Sequence, residues 1–130
     1  MKTSELTGAA LDWAVAMIEK PEACEYGVQD WQGQRRQTVK NGEYVYRWHQ
    51  SWAQGGPIID REQFSVEPLY TSGGLDCWQA FGHNLRYDAH GNYIQGSDNR
   101  QYGPTPLIAA MRCYVASKLG DDVDVPEELV

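Results

Sequence analysis

At 130 residues with 42% apolar content, the chain is long enough for one domain with its own core and too apolar to be disordered throughout. The formal charge of -7 is uneven: five of the 18 acidic residues fall in "DDVDVPEELV" at 121–130, leaving 13 against 11 basic residues elsewhere. A near-neutral body without a Lys/Arg run lacks the footprint of a general nucleic-acid binder, and no apolar run reaches the length of a membrane span.

From the start of the chain, Thr7 is a candidate cap for a helix running to about Lys20, where Pro21 stops it. Ala10, Leu11, Ala14, Val15 and Ile18 recur at helical spacing, and Trp13 and Met17 widen that apolar face. The same stretch is interrupted by Glu5 and Asp12 and shows no cleavage pattern, so it does not read as a signal peptide. "QTVKNGEYVYRW" forms two alternating runs around Asn41-Gly42, a hairpin signal, with Tyr44, Tyr46 and Trp48 on one face of the second arm.

"SWAQGGPIIDRE" at 51–62 reads as a turn at Gly55-Gly56-Pro57 feeding a strand near Ile58-Ile59. On such a strand Asp60 and Glu62 share one face. Further strands are expected near Phe64 to Val66 and in "DCWQAF", and a hairpin over His90-Gly91-Asn92. The last helix is signalled most strongly. Thr105 is the candidate N-cap, Pro106 takes the first helical position and Gly120 the C-cap, with a cation, Lys118, near the negative end of the dipole. The whole is expected to be α+β: two helices, about 7–20 and 105–119, packed on a small, largely antiparallel sheet. Residues 1–120 form the globular domain and 121–130 an acidic tail.

"DWAVAMIEK", "WAQGGPIIDRE", "CWQAF" and above all "YGPTPLIAAMRCYVASKLGDDVDVPEEL" resemble the NinX family of tailed-phage proteins, small products of accessory genes in lambda-like phages. The resemblance covers both ends and the centre of the chain. It implies a phage origin and a place in the host cell cytoplasm. It implies no activity.

Catalytic signatures are few. The serines lie in no GxSxG elbow, and His49, His83 and His90 stand in no recognisable relation to them. Cys24, Cys77 and Cys113 are odd in number and widely spaced, as reduced thiols rather than disulfide or zinc ligands. Asp88, His90, His83 and Asp98 carry turn composition rather than a metal-ligand signature. Neither catalytic residues, nor a cofactor, nor a metal site is expected.

Two stretches have the parts of a ligand site. Around the Gly55-Gly56 loop, Trp48 and Trp52 could stack on a planar ring, Gln54 offers a donor and an acceptor to a base edge, and Arg61 could pair a phosphate. In "QYGPTP", a helix start favours anions, with Thr105 adding a hydroxyl, Tyr102 a ring and Arg112 a charge. The five Trp and eight Tyr, against two Phe, suit such half-exposed surfaces. The expected partner is a small nucleotide-like ligand, held without catalysis in a homo-oligomer for which Ala109, Ala110 and Ala116 offer a close-packing helix face. The alternative is a host or phage protein bound through the acidic tail.

Overall fold

The computed structural model describes residues 1–19, 25–31, 34–41, 44–82, 85–87, 89–91, 93–95 and 99–129. Helix α1 spans Gly8–Glu19, α2 Trp52–Glu62 and α3 Pro106–Leu119. The strands are β1 Glu25–Trp31, β2 Gln34–Asn41, β3 Tyr44–Tyr46, β4 Ser65–Thr71, β5 Gly74–Phe81, β6 Leu85–Tyr87, β7 Tyr93–Gln95 and β8 Gln101–Gly103. All described pairings are antiparallel, in the orders β1-β2-β3, β4-β5-β8 and β6-β7. The expected α+β class holds. No described helix is long and apolar enough to cross a membrane.

Helix α3 lies at the centre, packed on β8, β5, α1, α2 and β4. Its apolar residues Leu107, Ile108, Met111, Val115 and its alanines Ala109, Ala110 and Ala116 are all buried within the chain. Those alanines therefore do not present a face to a second copy, as the sequence had suggested. They admit close neighbours inside one chain: a Cβ on Gly103 of β8 would stand 2.8 Å from the Ala109 nitrogen. Both ends of α3 follow the expected chemistry. The Thr105 hydroxyl accepts from the Ile108 N–H at 3.2 Å, and Gly120 closes the helix with φ 87°.

The first helix is also as expected, except on one flank. Met17 is exposed rather than part of the apolar face, and Asp12 is buried among the apolar residues of α1. The hairpin signal at Asn41-Gly42 is matched by the register, in which Asn41 of β2 faces Tyr44 of β3. The turn itself lies outside the described residues. The second expected hairpin is present as β6 and β7, with Tyr87 opposite Tyr93.

The main departure is "SWAQGGPIIDRE", which is neither a turn nor a strand. It is α2, with Gly55, Gly56 and Pro57 inside it. Pro57 forgoes the bond its N–H would give to the Ala53 carbonyl, and the glycines cost helix propensity. Packing offsets that penalty. Ile58 is buried and Ile59 packs on the core from the same flank, and Gln63 ends the helix in the left-handed region with φ 56°. Asp60 and Glu62, two apart on a helix, do not share a face.

The glycines differ in what they permit. A Cβ on Gly55 would meet Leu107 Cδ2 at 2.7 Å and the Trp48 carbonyl oxygen at 2.8 Å, whereas on Gly56 it would meet only Trp52 Cε3 at 3.9 Å. Gly55 is what lets α2 approach α3. Gly55→Ala is expected to lose about 1–3 kcal/mol through overpacking, while Gly56→Ala gains about 0.5–1 kcal/mol from helix propensity. Thermal unfolding of the two variants checks the opposite signs.

The acidic end is docked. The Met1 amino group donates to the Val123 carbonyl at 3.0 Å, Thr3 N–H donates to the Asp121 carbonyl at 2.8 Å, and Lys2 bridges to Asp122. Val123 and Leu129 are buried in the core. Residues 121–129 thus carry charge outward and apolar side chains inward.

Candidate functional site

Helices α2 and α3 run side by side in the same direction. Gly55 lies against Leu107 near their starts; Arg61 meets Tyr114 and Glu62 meets Lys118 near their ends. Two positive dipole ends therefore face the same part of the surface. Between them opens a cleft of about 430 Å³, lined by His49, Gln50, Trp52, Thr105, Pro106, Leu107 and Ile108. It falls in the size range of small-molecule sites.

The two stretches singled out in the sequence meet here, through Trp52 and Thr105. The indole of Trp52 is 56% exposed, so a face is open to a ligand. It also borders a second, more open cleft of about 500 Å³ with Gly56, Ile59, Asp60, Gln63, Phe64 and Ser65. Trp52 is the ridge between the two.

The other expected site residues have different positions. Trp48 is buried, its ring stacked on Tyr46 with centroids 4.4 Å apart and planes 3° from parallel. It belongs to the core and has no face for a ligand. The Gln54 amide is engaged locally: Oε1 accepts from the Arg47 N–H at 2.5 Å and Nε2 donates to the Val45 carbonyl at 3.0 Å. It fixes the turn from β3 into α2 rather than reading a base. Gly55 is buried against α3, and only Gly56 borders a cleft.

Arg61 lies nine residues after Trp52, about 13 Å along the helix. Its guanidinium pairs with Glu19 at 2.5 Å and donates to the Tyr114 hydroxyl at 2.9 Å, while that hydroxyl donates to Glu19 at 2.5 Å. This cluster ties the ends of all three helices. Burial and the Glu19 bond push the Tyr114 phenol well above its usual range. Arg61 does not line the cleft beside Trp52.

Arg112 is a clamp as well. Its Nε donates to the Leu6 carbonyl and its Nη1 to the Tyr102 carbonyl, both at 2.7 Å. It joins the N-terminal segment and β8 to α3, and burial lowers its pKa. Gly103 faces α3, so its neighbour Tyr102, half-exposed, projects from the opposite face of the sheet. The ring does not reach the cleft wall.

The structure adds a pair that sequence spacing could not show. His49, on the cleft wall, presents its backbone N–H to Asp12 Oδ1 at 3.0 Å and its ring Nδ1 to Asp12 Oδ2 at 2.7 Å. Asp12 is 2% exposed. Burial lifts its carboxyl above the usual range, against the pull of the His49 hydrogen bonds and the charge of Arg47. A polar residue within the apolar pattern of α1 was the one available signal. Asp88, His83 and Asp98 lie outside the described residues, and no group of three or more His, Cys, Asp or Glu among the described residues gathers as metal ligands.

These features define a small α+β protein whose central helix packs on the β4-β5-β8 sheet and on both other helices, and shares, with a second helix start, an open cleft beside an exposed indole. The family model described as Bacteriophage P22, NinX matches residues 2–118, and the chain belongs to that family. A comparison with curated proteins found no match.

Proposed function

We propose that this phage protein binds and holds a small nucleotide-derived ligand in the cleft between the starts of α2 and α3, without catalysis. A host defence signal is the natural candidate in the host cytoplasm. The observation that carries the reading is the meeting of Trp52 with Thr105 at one cleft of about 430 Å³. An exposed indole suits a planar base, and two aligned helix starts favour an anion. Enclosure of a whole nucleotide would be completed by a second copy of the chain, since the cleft is open to solvent on one side.

Native and denaturing mass spectra of protein purified from cells with active nucleotide signalling test the proposal. A stoichiometric nucleotide of unchanged mass is expected, lost in Trp52→Ala. Stacking loss alone should weaken binding by about tenfold or more. Arg61→Ala, distant from the cleft, should retain the ligand. An empty wild-type protein from every such lysate, or equal occupancy in Trp52→Ala, would count against it.

A further inference from the structure

We infer that His49 reads the anionic part of the ligand: clamped by Asp12, its Nε2 donates a hydrogen bond to a phosphate oxygen of a nucleotide whose ring lies on Trp52. This inference rests on the cleft being the nucleotide site.

The ring is fixed from two directions. One carboxylate takes both the backbone N–H of His49 and its Nδ1, at 3.0 and 2.7 Å. The carboxylate itself sits in α1 and is buried, so the clamp cannot drift with the surface. With Nδ1 turned inward to Asp12, the opposite ring nitrogen is turned outward, and the His49 side chain keeps 19% of its exposure. No buried side-chain nitrogen or oxygen among the described residues lacks a hydrogen-bond partner. Nε2, which has no protein partner among them, is therefore at the accessible surface of the cleft.

The start of α3 by itself offers a phosphate few backbone donors. At α3, Pro106 has no N–H, Ile108 gives its N–H to the Thr105 hydroxyl and Ala109 gives its own to the Thr105 carbonyl. Leu107 alone among the first four positions keeps an N–H to offer a ligand. The Thr105 hydroxyl accepts from its own helix and keeps its O–H to give. The start of α3 thus brings an attractive dipole and two donors, and His49 stands on the cleft wall beside them. From α1 it is faced by Asp12, with Arg47 in the preceding turn acting on that carboxylate. The other lining residues, Gln50, Trp52, Thr105, Pro106, Leu107 and Ile108, carry no charge.

The test is calorimetric titration of the full-length protein with adenosine and guanosine 5′-monophosphates, their 3′,5′-cyclic forms and the parent nucleosides. The ring nitrogens of His49 are followed in parallel by 15N resonance. Wild type should bind a nucleotide more tightly than its nucleoside. Folded His49→Gln should bind the nucleotide about tenfold more weakly and the nucleoside as wild type does. The His49 Nε2 signal should move on nucleotide addition and stay in place on nucleoside addition. Where His49→Gln does not fold, the ring signal of wild type decides. Trp52-dependent binding with an unmoved ring signal would overturn the role of His49 and leave the cleft reading standing. Binding of no probe, or binding indifferent to Trp52→Ala, would overturn the cleft reading and this inference together. A probe recovered with altered mass would overturn it by showing His49 in a reaction rather than in retention.

Discussion

Deleting residues 121–130 is expected to lower the unfolding free energy by about 3–6 kcal/mol, from the burial of Val123 and Leu129 alone at about 1.5–3 kcal/mol each. Both side chains are 7% exposed within the core. The deletion also removes the backbone bonds between Met1 and Val123 and between Thr3 and Asp121, freeing the first turn of the chain. Urea unfolding should show a lowered midpoint, and a truncated chain within about 1 kcal/mol of wild type would mean that the docked segment does not stabilise the fold. This outcome matters for function. Truncation cannot separate a partner-binding acidic end from a structural one, because it changes the body of the protein. Neutralising the exposed Asp121, Asp124, Glu127 and Glu128 while keeping Val123 and Leu129 is the cleaner comparison.

Asp12→Ala is the second large effect, an expected loss of about 2–4 kcal/mol. The substitution opens a void in the core face of α1 and strips two hydrogen bonds from His49, one of them from a backbone N–H. Asp12→Asn keeps an acceptor for that N–H and should lose less, which separates the cost of the missing bond from that of the missing volume. The pH behaviour has a definite sign. A carboxyl whose folded pKa is raised contributes stability that is full below its unfolded value and is lost as pH rises through the folded one. The advantage of wild type over Asp12→Asn should therefore shrink from about pH 4 upward until Asp12 is fully ionised. Denaturant unfolding of both proteins across that range checks it. An advantage that grows instead would show that the His49 pair outweighs burial.

Much of the fold is readable from local chemistry. Thr105, Pro106 and Gly120 mark the ends of α3 because caps act within a few residues of the groups they satisfy. Asn41 and Gly42 mark the β2–β3 connection for the same reason. The site is only partly readable. Trp52 and Thr105 could be named from residue type, but Trp48, Gln54, Arg61, Tyr102 and Arg112 carry the same chemical promise and are committed elsewhere. Trp48 stacks on Tyr46, Gln54 on backbone, Arg61 on Glu19 and Tyr114, and Arg112 on two carbonyls, while Tyr102 projects from the far face of its strand. A side chain's type says which bonds it can make, and only its neighbours in space say whether those bonds are already made.

The sequence by itself determined the α+β class, the two terminal helices, the caps of α3 and the hairpins, all of which rest on short-range periodicity and turn chemistry. Tertiary structure decided three things. It made a helix of Gly55-Gly56-Pro57, because burying Ile58 in the core outweighs local propensity and Gly55 leaves room for Leu107 and the Trp48 carbonyl. It drew the acidic end into the core through Val123 and Leu129. And it set Asp12 behind His49, 37 residues apart in sequence, where a buried carboxylate finds its partner across the core and no spacing along the chain could announce it.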